Sequence, residues 1–223
     1  MKDKIVTFGE IMLRLSPENN ARFTQCNAFE AVYGGGEANT AVSLANFDVD
    51  ANYVTKLPKH IIGQAAINSL RQYGVGVDHI VRGGDQIGIY FLEKKTSQRP
   101  TNVIYNRAGS AFALATADFD WDEIFDGATW FHFSGITPAI SDEMTNICIT
   151  ACQKAKEKGM TVSCDLNYRS KLWSSEKACE AMSRICQYVD VCIANEDDAI
   201  GIFSMNPAEL MARRKMLTLP GNL

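Results

Sequence analysis

Two short stretches bring together side chains able to hold an anion and a metal-bound phosphate: Asp165-Leu166-Asn167-Tyr168-Arg169 and Asn195-Glu196-Asp197-Asp198. An arginine forks onto carboxylate or phosphate oxygens, an amide donates to them, and carboxylates hold the water around a Mg²⁺ ion. The same residues have a plainer use, since Asp165 can cap a turn and Asp197 or Asp198 can sit in the positive first turn of a helix. A third stretch, Gly34-Gly35-Gly36-Glu37-Ala38-Asn39, offers bare amides at a helix start, where an anionic or polyhydroxyl ligand can approach. It has neither the lysine of a P-loop nor the spacing of a dinucleotide fingerprint, and a triple glycine is as often a flexible turn. Tyr90, Tyr105 and Arg107 complete the set. Alternate residues of a strand share a face, so Tyr105 and Arg107 point the same way, and Arg107 can clamp a carboxylate. Gly83-Gly84-Asp85 opens no helix and reads as a turn.

These groups need a scaffold, and both polar stretches directly follow apolar runs. Strands are expected at Lys4–Gly9, Asn52–Leu57, Trp130–Ser134, Thr161–Asp165 and Val191–Ala194. Helical stripes run through Ala38, Ala41, Val42 and Ala45, and through Met144, Ile147, Cys148, Ala151, Cys152 and Ala155. The second helix starts at Ser141 as N-cap, carries Asp142 and Glu143 in its first turn, and stops at Gly159. A third helix is expected at about Ser175–Gln187. Repeated strand–helix–strand units call for a mostly parallel sheet covered on both faces, an α/β fold whose ligands gather outside the carboxyl ends of the strands. Between Gln86 and Arg107 the alternation breaks. Two apolar arms, Ile87–Glu93 and Asn102–Arg107, flank a polar loop and read as a hairpin, joined by Ile11–Val32 into a small antiparallel flap.

The 223 residues are 46% hydrophobic and 22% charged, the balance of a globular chain. Twenty-two basic against 26 acidic residues give a net charge of −4 with no block of one sign, which argues against nucleic acid or an anionic membrane as partner. The longest stretch without Asp, Glu, Lys or Arg, Gly127–Ser141, is too short and too polar for a transmembrane helix. The N-terminal residues lack the apolar core of a secretory signal, and seven cysteines without a Cys-x-x-Cys pair suit reduced thiols, so a cytoplasmic location is expected. Cys148 and Cys152 share a helix face without a third ligand and read as packing.

Taken in order, Phe8-Gly9-Glu10, Gly34-Gly35-Gly36-Glu37-Ala38-Asn39-Thr40-Ala41, Tyr105-Asn106-Arg107-Ala108-Gly109-Ser110-Ala111, Ser134-Gly135-Ile136-Thr137, Asp165-Leu166-Asn167-Tyr168-Arg169 and Asn195-Glu196-Asp197-Asp198 resemble the ribokinase-like (PfkB) carbohydrate kinases. Within them the likeness is greatest to the branch acting on 2-keto-3-deoxygluconate, and it covers roughly residues 3–203. The resemblance implies ATP and Mg²⁺ as cofactors, and phosphoryl transfer to a hydroxyl of the sugar acid 2-dehydro-3-deoxy-D-gluconate. It implies an α/β core over residues 1–10, 34–85 and 108–203, a β lid over 11–33 and 86–107, and a tail over 204–223. Gly34, Gly35, Gly36, Glu37 and Ala38 would line the sugar-acid pocket, with Tyr90, Tyr105 and Arg107 reaching over it. Asn167, Tyr168 and Arg169 would sit between substrate and nucleotide, Arg169 touching both, and Asn195 would face the ATP phosphates. The lid would also be the surface of a homodimer or higher homo-oligomer. No metal ligand is singled out.

The chain departs from the family pattern at Asp48, where a glycine is usual, at His60-Ile61-Ile62-Gly63-Gln64 in place of an acidic loop, and at Asp198 in place of Glu. A larger departure is that Asp-Thr-x-Gly-Ala-Gly-Asp, which in the family supplies the general base and anion hole, occurs nowhere in the 223 residues. The expectation is a fold whose C-terminal part is missing, with no catalytic residue present. Such a chain binds the sugar acid yet turns it over negligibly, because a base is worth about 10²–10⁴ in rate and an anion-hole donor about 10²–10³. Two other readings stay open: a non-catalytic sugar-acid-binding or oligomerisation module, and a fructokinase-like kinase of a neutral ketose. In the tail, Asn206-Pro207-Ala208-Glu209 reads as a helix start.

Overall fold

A computed structural model describes residues 3–204, so the helix expected from Asn206 lies outside the described residues. The chain begins with β1 (Lys4–Phe8), runs outward along β2 (Met12–Pro17), and returns along β3 (Phe29–Gly34) into α1 (Gly36–Asn46). There follow β4 (Asp50–Val54), β5 (Lys56–Leu57), α2 (Ile61–Arg71) and β6 (Val81–Arg82). A second excursion runs out along β7 (Ile89–Glu93) and back along β8 (Asn102–Asn106). The remainder is α3 (Trp121–Ile124), β9 (Ala128–Ser134), α4 (Ile136–Ala139), α5 (Asp142–Glu157), β10 (Thr161–Asp165), α6 (Ser175–Ile185), β11 (Val191–Ile193) and α7 (Glu196–Phe203).

Five strands form one sheet in the order β11-β10-β9-β1-β4, every pair parallel. Alternate residues of β1 and β9 divide between its faces. Val6, Phe8, Phe131 and Phe133 enter a core with Met144, Cys148, Cys152, Met182 and Ile185 of α5 and α6. On the other side, Ala38 and Ala41 of α1 and Ala66, Ile67 and Leu70 of α2 pack with Ala51 and Tyr53 of β4. The cap and stop signals read for α5 are in place: Ser141 Oγ accepts the Met144 amide, and Gly159 takes a φ of 72° just past the end.

The expected small antiparallel flap is present as the four-stranded sheet β3-β2-β7-β8. Its outer pairs are antiparallel, but the central pair β2–β7 is parallel. Both central strands leave the core in the same direction, and each hairpin partner returns to it. The expected strand Asn52–Leu57 is also divided. Its first part stays in the main sheet, while Lys56-Leu57 turns off to pair with β6, and Thr55 between them accepts the Val81 amide through its carbonyl. His60 to Gln64 is no loop but the start of α2, with His60 Nδ1 accepting from the Ile62 and Gly63 amides. Histidine is an uncommon N-cap, which hid this helix from the sequence. The third helix ends at Ile185, and the last turn tightens into a 3₁₀ segment, Cys186–Tyr188.

Candidate active site

Strand order reverses at β1, with β4 on one side and β9 on the other, so a crevice opens beyond the carboxyl ends of β1 and β9. Glu10 follows β1 there, Ile136 follows β9, and the segment Tyr168–Leu172 follows β10. The returning lid strands end at the same place, β3 at the glycine turn and β8 just before Arg107. Together these segments enclose a cavity of about 500 Å³ lined by Glu10, Met12, Gly35, Gly36, Glu37, Val103, Tyr105, Arg107, Ile136 and Tyr168 to Leu172. An adjoining hollow of about 290 Å³ shares Met12, Gly35, Gly36 and Tyr105 with it and adds Arg14, Gly34, Asn39 and Tyr90.

Glu37 fixes how the first helix enters this crevice. Its side chain is buried, and Oε1 accepts from the Ser134 amide at 3.0 Å, Ser134 Oγ at 2.6 Å and Thr137 Oγ1 at 3.0 Å. A carboxylate in the first turn of α1 is thereby tied to the end of β9 and the start of α4, and it also complements the helix dipole.

Arg107 is already partnered. Its Nη2 lies 2.5 Å and its Nε 2.7 Å from Glu10 Oε2, while Glu10 Oε1 accepts from Ser110 Oγ at 2.5 Å. Both members of the pair are nearly enclosed, with 10% of the Arg107 side chain and 3% of the Glu10 side chain exposed. Burial pushes the Glu10 carboxyl above its ordinary range, against the opposing pull of Arg107 and Ser110. Arg169 and Lys171 bring two further positive charges to the cavity, and neither has an acidic partner within ion-pair distance among the described residues.

At the neighbouring strand ends the carboxylates are largely committed to the fold. Asp198 is buried and accepts the Tyr168 amide at 3.0 Å, and its own amide donates to Asn195 Oδ1, which caps α7. Asp165 is half-buried, and desolvation with Asp198 nearby raises its pKa. Among the described residues no group of three His, Cys, Asp or Glu side chains is spaced to hold a metal ion. Glu196 and Asp197, in the first turn of α7, are exposed.

The model of the pfkB family carbohydrate kinases matches residues 2–218. The chain belongs to this family. A 2-dehydro-3-deoxygalactonokinase of Haloferax volcanii is 38% identical over 208 residues, 92% of this chain and 65% of the relative. The crystal structure of a 2-dehydro-3-deoxygluconokinase from Thermotoga maritima superposes with a TM-score of 0.91 at 50% identity, over 95% of this chain and 69% of that one. A sugar kinase from Pyrococcus horikoshii, solved in complex with ATP, shares the fold with a TM-score of 0.79 at 21% identity, over 90% of this chain and 66% of that one. The pfkB chain thus spans 65% of the length of the curated Haloferax relative.

Of the residues singled out in the sequence, Gly35, Gly36, Glu37, Tyr105, Arg107, Tyr168 and Arg169 of the pfkB chain line one cavity. Gly34 and Tyr90 line the adjoining hollow, and the Tyr90 and Tyr105 rings pair across β7 and β8 with centroids 5.9 Å apart. Ala38, two residues beyond Gly36 on α1, turns into the core with Ala41 and Tyr53 because successive helical positions differ by about 100°. Asn167 takes a φ of 39°, and Asn195 serves as a helix cap; neither belongs to the cavity lining. Sequence reasoning passed over Glu10 and Lys171 as site residues. Glu10 carried a signal, a carboxylate directly after a core strand, but its partner stands 97 residues away.

Proposed function

We propose that this chain forms the sugar-acid-binding part of a 2-keto-3-deoxygluconate kinase. The observation that carries this reading is the convergence of Arg107, Arg169 and Lys171 on one cavity beside the backbone of Gly35 and Gly36. A six-carbon sugar acid presents a carboxylate to the guanidinium groups, a charge-assisted contact worth about 1.5–3 kcal/mol, and hydroxyls to the backbone and Tyr105. Gly34 and Tyr90 extend the same surface from the adjoining hollow. The relatives named for the gluconate and galactonate forms of this acid support the substrate class.

ATP and Mg²⁺ are the proposed co-substrates, with Asn167, Tyr168 and Arg169 between sugar and nucleotide and Asn195 toward the phosphates. Arg169, an exposed residue of the cavity lining, is our candidate to follow charge onto the transferred phosphoryl group. The family's Asp-Thr-x-Gly-Ala-Gly-Asp stretch, source of its general base, does not occur in the 223 residues. Binding without appreciable turnover is therefore our reading for this chain by itself. We assign 11–33 and 86–107 to a β lid over an α/β core of residues 1–10, 34–85 and 108–203. Phe29, Ile104 and Tyr105, exposed on that lid, suit self-association through it. A cytoplasmic location agrees with the free thiols, and no helix among the described residues is long and apolar enough to cross a membrane.

Titration calorimetry with 2-keto-3-deoxygluconate and with fructose, on the native protein and on Arg107→Ala, tests the assignment. Acid should bind in preference to the ketose, and the substitution should weaken the acid about 10–100-fold while leaving the ketose little changed. Equal binding of the two sugars would favour a ketose site. ADP release at ordinary kinase rates by the purified chain would remove the claim of negligible turnover.

A further inference from the structure

We propose that Glu10 is a positioning residue of this cavity: it holds one edge of the Arg107 guanidinium, presents the opposite edge to the carboxylate of a sugar acid, and takes up a proton from solvent when that carboxylate arrives. The inference rests on the substrate class proposed above. It starts from the pairing geometry. Glu10 Oε2 occupies the Nε and Nη2 edge of Arg107, and Nη1 has no partner among the described residues. A guanidinium can fork onto a second carboxylate through its Nη1 and Nη2 edge, so Glu10 leaves Arg107 competent and fixes its direction. Arg107 belongs to the end of a lid strand and Glu10 to the end of a core strand, so the pair also sets where the lid meets the core.

Proton uptake follows from charge. Glu10 lines the cavity and is 5% exposed, so an arriving carboxylate shares one guanidinium with it at low dielectric. The groups that face Glu10 are Arg107 and Ser110 from the segment after β8, Glu37 from α1 and Tyr53 from β4, while Arg169 and Lys171 line the same cavity from beyond β10. Burial, seconded by Glu37, already raises the Glu10 pKa against the pull of Arg107 and Ser110, and another anion raises it further. Acid binding therefore strengthens as the pH falls toward that raised value, and a neutral ketose brings no such change.

Calorimetry in buffers of differing ionisation enthalpy counts the protons. The native protein should take up a fraction of a proton per 2-keto-3-deoxygluconate and none with fructose, and acid affinity should rise by up to about tenfold per pH unit on acidification. Glu10→Gln should abolish the uptake and flatten the pH profile, and Glu10→Asp should restore both. A purely structural role would weaken acid and ketose alike and leave the proton count unchanged. Acid binding without proton uptake by the native protein, or with the same uptake in Glu10→Gln, overturns the role of Glu10 and leaves the substrate class standing. Failure of the native protein to bind the acid at all overturns both. Should Glu10→Gln not fold, the native proton count decides, zero against and a fraction of a proton in favour.

Discussion

Gly35 and Glu10 meet backbone to backbone: a Cβ on Gly35 would overlap the Glu10 carbonyl oxygen. The Gly35 backbone is extended, with φ −170°, so the demand for glycine here is spatial and not conformational. This contact brings the start of α1 against the end of β1 and closes the floor of the cavity. Gly35→Ala should cost about 1–3 kcal/mol of stability through overpacking, read as a lower denaturation midpoint in urea, and should weaken sugar-acid binding. Gly36→Ala, where an added Cβ meets nothing within 4 Å, is the control and should leave stability within about 0.5 kcal/mol of the native value.

Glu37 gathers three donors at a single buried oxygen. Glu37→Ala would leave the Ser134 amide and two hydroxyls without their acceptor and should destabilise the protein by about 2–4 kcal/mol. Thr137→Val removes one donor and leaves two in place, so a loss nearer 1 kcal/mol is expected. Urea unfolding of both variants separates the two values. Equal losses would mean that Thr137 carries the contact alone.

His132 ends a half-buried relay. The Trp130 indole donates to Ser163 Oγ at 2.7 Å, and Ser163 Oγ lies 2.9 Å from His132 Nδ1. A hydroxyl that donates to this nitrogen meets a neutral imidazole. Burial lowers the folded pKa below the ordinary 6.5, although Glu37 and Asp165 pull it up. The folded chain therefore binds fewer protons than the unfolded one in that window. The associated stability is present above 6.5 and is lost as the pH falls from there toward the lowered value. In His132→Asn this part of the pH dependence of unfolding should vanish, and an unchanged profile would exclude His132 as its source.

The thiols differ in reactivity for a physical reason. Cys148, Cys152 and Cys164 are buried, and desolvation raises all three, Cys152 from 9.0 to about 12. For Cys152 that shift lowers the thiolate fraction at neutral pH about a thousandfold. A short pulse of iodoacetamide followed by mass spectrometry should leave these three unmodified in the native state and label them in urea. Native labelling of Cys152 at the rate of the exposed Cys192 would show that α5 opens readily.

Much of the fold was legible because it is repetitive. The apolar stripe of α5, its serine cap and its terminating glycine are local signals, and each sits where local physics places it. Strand β10 matches its expected bounds because Thr161–Asp165 is a short buried run flanked by breakers. Signals failed where a partner from elsewhere decided the outcome. The expected strand through Thr55 divides because β6 captures its second half.

The sequence by itself determined the alternating architecture, the family, and the residue types available at each strand end, since periodicity and short motifs depend on near neighbours. Only the tertiary structure decided what those residues do for one another. Asp198 holds the Tyr168 amide, Asn195 caps a helix, and Arg107 reaches the cavity already bound to Glu10. The Arg107–Glu10 pairing joins segments 97 residues apart, and it forms because an enclosed charge must find a partner once folding removes its water.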